Sequence, residues 1–404
     1  MQDSHRQIIA TGAILLFTLL QFIVLAVFGY TPYPDSEGYI YLANECLQKG
    51  DIYPIVSELN NYPFLWNIGT VNTVYASLKL FHSITPLLIL YCIIKGITAW
   101  LFYKLTISIT NKRTAFIALL IYLLYPANYG EATSVLSELP FTFFTMLGLW
   151  LCVSRKLYII GGMALALANW YRPMGIVILI ALLIYLFVNK RKIISPLIGY
   201  VIIIIIVGSL NYLRTGLFLY QAKTGWMALA DYSTQQSAES MHIRDNTKLN
   251  VAQKDAAWRT LFIDWLKENP QEYFSQMPRK LADTYVSDNV NMCTFIPHKS
   301  QKEYMYEEVS LNTLINRFPV FSSVQWLTLW NLLFYYLLLI TALLSLRFFL
   351  NNSSLLTLSI IILQTLMLLF MGHGESRFHT PIMPFVVMLS ALFIANKYKH
   401  NMNE

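Results

Sequence analysis

The chain has 404 residues, of which 56% are hydrophobic and only 13% are charged. Soluble domains carry about a quarter charged residues, so this composition excludes an ordinary soluble protein and predicts an all-α polytopic membrane protein. The formal net charge of +7 is explained by basic membrane loops and does not require nucleic acid as a partner. The sequence contains no Walker, dinucleotide-binding or zinc motif, which argues against ATP-driven transport by this chain alone.

The first predicted span runs from Ile8 to Phe28 and lacks a clear cleavage site, so we expect it to remain as a membrane anchor. Asp35 and Glu37 follow just outside this span. The residues after them have helical spacing, which predicts an amphipathic helix on the membrane surface that ends at Gly50. Asp35 at the start of this helix is either an N-terminal cap or a group with a chemical role.

Apolar runs predict ten membrane spans in this chain. Basic residues fall in alternate loops, and the positive-inside rule makes those loops cytoplasmic. Both termini are then cytoplasmic, and the remaining loops face outward from the cytoplasmic (inner) membrane. The predicted spans are about 8–28, 86–106, 114–128, 135–153, 157–170, 174–188, 193–212, 326–346, 355–371 and 380–396.

Two segments outside the spans are predicted to lie on the outer side. The outer loop 29–85 contains a second surface helix at 65–81, and a larger outer region covers 213–325. The polar run 233–253 within that region predicts a mobile loop. The domain boundaries that follow are an N-terminal transmembrane module at 1–212, the outer helical region at 213–325 and C-terminal transmembrane helices at 326–404.

Charged residues from several separate loops gather at the predicted outer face. Each has an alternative structural explanation: Glu131 as a helix cap, Arg172 as an anchor at a helix end, and Glu375 and Arg377 as a pair with each other or with solvent. Glu138 is a functional candidate because it lies inside an apolar run, where an unpaired carboxylate is costly. The full set is Asp35, Glu37, Glu131, Glu138, Arg172, His373, Glu375 and Arg377, with Lys95 as a further suspect inside an apolar run.

This combination of side chains fits transfer from an activated lipid phosphate. Arginines bind phosphate with paired hydrogen bonds, and a neighbouring carboxylate accepts a proton from an incoming hydroxyl or amine. A sugar linked to a lipid phosphate already carries its leaving group, so such a site needs one base and cationic phosphate contacts. Inverting displacement at the anomeric carbon follows from that arrangement.

Six short motifs carry a resemblance to a known family through their order and spacing. They are Asp35-Ser36-Glu37, Tyr62-Pro63, Ser137-Glu138, Tyr171-Arg172-Pro173, Lys267-Glu268-Asn269-Pro270 and Glu375-Ser376-Arg377-Phe378. The chain resembles the GT-C glycosyltransferases, which use polyprenyl-phosphate-linked donors. It looks most similar to bacterial relatives of protein O-mannosyltransferases and lipid A aminoarabinose transferases.

The resemblance implies a GT-C-like fold and a role for each matching residue. Asp35 matches the first-loop acid that serves as catalytic base or acceptor-binding group, and Glu37 completes the acidic pair. Glu138 matches a second acidic position, while Arg172 and Arg377 match residues that serve the donor phosphate. Asp35 and Glu37 also permit a divalent metal such as Mg or Mn. The other outer-face residues, Glu131, His373 and Glu375, are predicted to bind substrate.

The sequence therefore predicts a hexosyl- or pentosyltransferase. It moves a sugar from a polyprenyl-phosphate donor to a lipid, glycan or protein acceptor at the outer face of the cytoplasmic membrane. The alternatives are a transporter or flippase of a lipid-linked glycan, which would favour charges along a midplane path, and a glycan polymerase or ligase. Cys46 and Cys293 are both on the predicted outer side, so a disulfide between them remains open.

Overall fold

The computed structural model describes residues 2–55, 66–235, 237–296, 307–347, 352–370, 372 and 374–400. All regular secondary structure within these ranges is helical, which confirms the predicted all-α class. The helices up to residue 215 are α1 (Gln2–Phe28), α2 (Pro34–Lys49), α3 (Ile68–Phe81), α4 (Thr85–Ile109), α5 (Lys112–Leu124), α6 (Glu138–Val153), α7 (Tyr158–Tyr171), α8 (Gly175–Val188) and α9 (Ile194–Thr215).

The remaining described helices fall into two sets. These helices are α10 (Gly225–Ser233), α11 (Ala238–Asp245), α12 (Val251–Glu268), α13 (Pro270–Ser275), α14 (Met277–Tyr285), α15 (Leu311–Arg317), α16 (Ser323–Ser345), α17 (Asn352–Phe370) and α18 (Met383–His400). The six helices α10 to α15 lie in the region predicted to be outside the membrane, and the three long helices α16 to α18 follow them. The described ranges also contain four short 3₁₀ turns, at Pro126–Tyr129, Glu131–Thr133, Val290–Phe295 and Ser376–Ile382.

Each of the ten predicted spans overlaps one of these helices. Five helical segments of the described chain are long and apolar enough to cross a membrane: α1 from His5 onward, α4, α9, α16, and the segment Ser376–Asn396 that includes most of α18. The protein is therefore a multi-pass membrane protein. The core of the bundle is built from α4 to α8 and α16 to α18, whose buried faces form one continuous apolar cluster.

Four central helices are short for membrane spans. Helix α5 has 13 residues, α6 has 16, and α7 and α8 have 14 each. At 1.5 Å per residue these lengths are about 20 to 24 Å, whereas the hydrocarbon core of a bilayer is about 30 Å thick. The ends of these helices therefore bring polar residues to membrane depth, where the surrounding protein must satisfy them.

The connection between α5 and α6 differs from the predicted spans 114–128 and 135–153. Helix α5 ends at Leu124, two 3₁₀ turns follow, and the axis bends by 111° before α6 begins at Glu138. Side chains bond the backbone groups that this break exposes. Asn128 donates to the carbonyl of Tyr122 at 2.6 Å, and the amide of Ala127 donates to Asn331 at 3.0 Å. Apolar periodicity could not show the break, because the connecting residues are buried as well.

Both predicted surface helices are present as α2 and α3, which pack on each other. Tyr39, Leu42, Ala43 and Cys46 form the buried face of α2, and Gly50 ends the helix in the left-handed conformation with φ of 69°. Asp35 is not the N-terminal cap, because that position belongs to Tyr33, which makes no capping bond through its side chain. Asp35 lies in the first helical turn instead, with its carboxylate available to other elements.

The prediction of a mobile loop at 233–253 is wrong. This stretch contains the whole of α11 and the start of α12, and each helix has a side-chain cap, from Ser237 and Asn250 respectively. Trp258 of α12 is fully buried and donates its indole N–H to Ser240 at 2.9 Å. Helices α10, α11 and α12 pack on one another, and their buried residues share one apolar cluster with α2, α3 and α4.

The four cysteines all lie in the described ranges and form no disulfide, so the bond left open between Cys46 and Cys293 is absent. Both residues are buried, and they belong to different apolar clusters. Cys46 packs within the surface-helix layer, whereas Cys293 packs beside Tyr33 and Met292. Their positions serve packing rather than cross-linking.

Candidate active site

A cavity of about 480 Å³ opens beside the first turn of α2. Its walls come from α2, the residues just before α3, the turn after α7, helix α10, the end of α17 and the loop that precedes the 3₁₀ turn at 376. This size falls within the usual range of small-molecule sites. The wall residues include Asp35, Tyr39, Trp66, Asn67, Arg172, Met174, Gln221, Tyr232, Met367, Leu368, Glu375, Arg377 and Phe378.

Arg377 joins two carboxylates in the wall of this cavity. Its Nη2 lies 2.8 Å from Oδ2 of Asp35, and its Nε lies 2.7 Å from Oε1 of Glu375. The Arg377 side chain is only 11% exposed, whereas that of Asp35 is 35% exposed. The guanidinium is thus buried behind the two acids, and the Asp35 carboxylate faces the open side.

A second ion pair connects the start of α6 with the residue that follows α7. Glu138 begins α6, and Arg172 follows α7. Nη1 of Arg172 lies 2.7 Å from Oε1 of Glu138 and 3.2 Å from the hydroxyl of Ser137. The Glu138 and Arg172 side chains are only 6% and 12% exposed, so each charge is compensated by the other where water is largely excluded.

The two arginines lie on one aromatic ring. The ring of Phe378 is centred 4.9 Å from the guanidinium carbon of Arg172 and 5.6 Å from that of Arg377. Cation–π contacts with a shared ring hold both cations at the same cavity without neutralising them. One group of neighbouring charges therefore contains two guanidinium groups, of Arg172 and Arg377, and three carboxylates, of Asp35, Glu138 and Glu375.

The tyrosines of the cavity remain neutral hydroxyl groups. Burial, followed by the charge of Asp35, raises the pKa of Tyr39 well above its ordinary value. Burial, followed by the charge of Glu375, also raises the pKa of Tyr232. Tyr39 accepts a hydrogen bond of 2.8 Å from the amide of Asn67. Neither tyrosine can serve as a base near neutral pH, and the cavity wall also contains the carboxylates of Asp35 and Glu375.

The loop that carries Glu375 and Arg377 is fixed from behind by α14. A side chain at Gly374 would place its Cβ 2.2 Å from the carbonyl oxygen of Lys280, so only glycine permits this approach. His379, on the same 3₁₀ turn as Arg377, donates from Nδ1 to the carbonyl of Thr284 at 2.6 Å. These contacts set the position of the Arg377 guanidinium relative to α2.

The remaining predicted site residues lie elsewhere. Glu131 pairs with Lys95 at 2.5 Å inside the bundle and does not line the cavity. Glu37 shares the first turn of α2 with Asp35 but is absent from the cavity wall. His373 and the motif Tyr62-Pro63 lie outside the described residues.

The described part of the chain provides no group of three His, Cys, Asp or Glu side chains arranged to hold a metal ion. Of the predicted metal pair, Asp35 contacts the Arg377 guanidinium, and Glu37 is absent from the cavity wall. The same guanidinium also contacts Glu375, so a positive group lies beside both carboxylates of the cavity. A divalent metal held by Asp35 and Glu37 stays a prediction.

Several cavity residues were not identified from the sequence. Trp66 with Asn67, Gln221 and Phe378 come from three separate segments, and the first three belong to none of the motifs. Tyr232 could have been identified from the sequence, because it lies in the amphipathic helix α10. The stretch predicted to be a mobile loop begins just after it. Phe378 was part of the last motif, but no pattern in the sequence indicated that its ring would bind both arginines.

Comparison with known proteins finds a likeness in structure but not in sequence. No family model matches the chain, and no curated protein matches it. Among solved structures, the chain is similar to the crystal structure of ArnT from Cupriavidus metallidurans bound to undecaprenyl phosphate, at 12% identity and a TM-score of 0.42. The match covers 96% of this chain and 78% of that one. With so low an identity and TM-score, this likeness assigns neither family nor function to the chain.

Proposed function

We propose that the protein is a glycosyltransferase that moves a sugar from a polyprenyl-phosphate-linked donor to an acceptor at the outer face of the cytoplasmic membrane. One observation carries this proposal. A partly exposed carboxylate, Asp35, and two largely buried arginines, Arg172 and Arg377, line the same cavity in a multi-pass membrane protein. This is the minimum set for phosphate binding together with proton abstraction.

The position of the cavity suits a lipid-linked donor. Met367 and Leu368, near the end of α17, give it an aliphatic wall from within the membrane bundle. Arg155 and Lys156, in the tight turn between α6 and α7, mark the predicted cytoplasmic side. Since α6 and α7 span only about 24 and 21 Å, their opposite ends, at Glu138 and Arg172, would lie below the outer surface. A donor could then present its phosphate while its lipid chain stays in the bilayer.

The donor phosphate has two arginines available, but both are already paired with carboxylates. Arg377 has the more adaptable arrangement, because separate nitrogens contact Asp35 and Glu375. A phosphate that takes over the Nη2 contact would release Asp35 from its ion pair while Glu375 still holds the guanidinium. Donor binding would thereby free the carboxylate that the reaction needs.

The proposed reaction is an inverting displacement. The hydroxyl or amine of the acceptor attacks the anomeric carbon, and Asp35 accepts its proton. The bond between the anomeric carbon and the phosphate oxygen breaks, and that oxygen leaves with the electron pair as polyprenyl phosphate. Arg172 and Arg377 stabilise the negative charge that develops on the leaving phosphate.

A transfer assay with the purified protein tests this function. Short-chain polyprenyl phosphates that carry glucose, mannose or arabinose are offered with a mixture of envelope lipids and glycans as acceptors. Release of polyprenyl phosphate, above that seen with heat-denatured protein, supports the proposal. A protein that binds such donors and moves them across vesicles without cleaving them would instead be a flippase of lipid-linked glycans.

A further inference from the structure

The backbone conformation at Gly38 in α2 does not require glycine. It lies one turn after Asp35 in the middle of a regular helix, and its φ is not in the left-handed region. Glycine is a poor helix former, so alanine would be favoured here on local grounds. The explanation is steric: a Cβ at this position would lie 2.3 Å from Cη2 and 2.5 Å from Cζ2 of Trp66.

The missing side chain lets the indole of Trp66 lie directly against α2. Tyr39 packs edge-on against the same indole, with ring centroids 5.3 Å apart and an angle of 75° between the rings. The backbone N–H of Trp66 donates to the hydroxyl of Tyr53 at 3.3 Å, and the next residue, Asn67, donates to Tyr39. Trp66 is therefore held in one orientation while it remains partly exposed and lines the cavity that contains Asp35.

We propose that Trp66 is the platform on which the sugar ring of the donor rests, and that Gly38 determines how much room this ring has beside Asp35. The proposal rests on the glycosyltransferase function given above and specifies its sugar subsite. It assigns selectivity for the sugar to two residues, neither of which belongs to the ion-pair group.

The chemistry of a sugar ring fits this wall. One face of a pyranose consists mainly of C–H groups, which pack well on an aromatic surface, while its hydroxyl groups require polar partners. Trp66 supplies the aromatic surface. Asn67, Gln221 and Tyr232 line the same cavity and supply amide and hydroxyl groups. Because Gly38 follows Asp35 by one helical turn, a ring seated on Trp66 lies next to the proposed base.

The distinguishing experiment compares donor binding with and without the sugar. Affinities of the full-length protein in detergent are measured for short-chain polyprenyl phosphate alone and for the same lipid phosphate carrying glucose, mannose or arabinose. The variants are Trp66→Ala and, as a matched control, Trp330→Ala, whose ring is 57% exposed on α16 outside the cavity. We expect Trp66→Ala to weaken the preferred sugar-bearing donor about tenfold and to leave the sugar-free lipid unchanged.

Each other outcome is decisive. If Trp66→Ala leaves the preference for the sugar-bearing donor intact, the platform assignment is wrong while the proposed function stands. An equal loss for both ligands would assign Trp66 to the structure of the site and would also overturn the proposal. If the wild-type protein neither prefers nor cleaves any of these sugar-bearing donors, the proposed function itself fails, and the sugar platform fails with it.

A second pair of variants tests the role of Gly38 without removing the indole. Gly38→Ala favours the helix but pushes Trp66 away from α2, so we expect it to weaken sugar-bearing donors and spare the sugar-free lipid. Phenylalanine lacks the outer atoms of the indole that the new Cβ would contact. The double variant Gly38→Ala with Trp66→Phe should therefore bind the sugar-bearing donor more tightly than Gly38→Ala alone. Absence of this rescue would contradict the steric coupling.

Discussion

The guanidinium of Arg377 contacts the carboxylate of Asp35 through a single nitrogen, with Nη2 and Oδ2 2.8 Å apart. The two residues come from opposite ends of the chain, and a different nitrogen of Arg377, Nε, lies 2.7 Å from Oε1 of Glu375. A ligand anion can therefore replace the Asp35 contact without leaving the arginine unpaired. This arrangement couples phosphate binding to release of the carboxylate, which is the property that a donor-dependent base requires.

Arg377→Lys should weaken donor binding and transfer together. Lysine keeps the positive charge but lacks the planar fork, so it cannot bond Asp35, Glu375 and a phosphate through separate nitrogens. We expect a loss of about tenfold or more in donor affinity, measured by titration with the preferred polyprenyl-phosphate sugar. Arg279→Lys is the matched control, since the Arg279 side chain is 86% exposed. Unchanged donor affinity in Arg377→Lys would show that this arginine does not bind the phosphate.

The pair of Glu138 and Arg172 should be needed for stability as well as for donor binding. Arg172→Met leaves a buried, unpaired carboxylate, which we expect to cost about 3 kcal/mol in the free energy of unfolding. The double variant Arg172→Met with Glu138→Gln should recover more than half of that loss. Both forms should bind the donor poorly, because each lacks one of the two arginines. Thermal unfolding in detergent measures the first effect, and donor titration measures the second.

Lys95 and Glu131 should act on stability alone. The pair is buried in the bundle, where Lys95 also donates to Asn128 at 3.0 Å, and Glu131 is absent from the cavity wall. Lys95→Met should destabilise the protein by about 3 kcal/mol, and adding Glu131→Gln should reverse much of the loss. Activity per folded molecule should stay unchanged in the double variant. A raised KM for the donor in Glu131→Gln would instead assign Glu131 to substrate binding, as its sequence position predicted.

Transfer should continue after divalent metal ions are removed. Arg377 lies between Asp35 and Glu375, and with Arg172 it supplies the positive charge that a metal would otherwise provide for the leaving phosphate. The test is release of polyprenyl phosphate before and after dialysis against EDTA. A loss that Mg or Mn restores would mean that substrate binding rearranges the carboxylates into a metal site.

The sequence contained enough information to predict the helical elements of this fold. Apolar runs located the membrane helices, and the spacing of Tyr39, Leu42, Ala43 and Cys46 located the buried face of α2. Polarity was a poor guide to the outer region, because α11 and α12 are rich in polar residues. Their caps were visible in the sequence, however: Asn250 and Gln253 form a complete capping box at the start of α12.

The side chains that meet at the cavity could be predicted only in part. Loop topology placed Asp35, Glu138, Arg172, Glu375 and Arg377 at one face, but their pairing depends on how distant loops fold back. Glu131 shows this limit. It lies seven residues before Glu138 in the sequence. The chain bends between them, and Glu131 pairs with Lys95 inside the bundle.

The contact between Gly38 and Trp66 had no sequence signal. Helical periodicity treats the glycine only as a weak position, and the partner indole lies in a different segment. Only the three-dimensional structure shows that the absence of a side chain at one position makes room for a large ring at another.

Single-turnover transfer by the Asp35→Asn variant tests the central claim most directly. Asparagine keeps the size of the side chain but cannot accept the proton of the acceptor, so we expect transfer to fall by about 10²- to 10⁴-fold while the donor still binds. The Asp51→Asn variant is the control, since Asp51 pairs with Arg214 away from the cavity. Full release of polyprenyl phosphate by Asp35→Asn would contradict the account, because Asp35 could then not be the base.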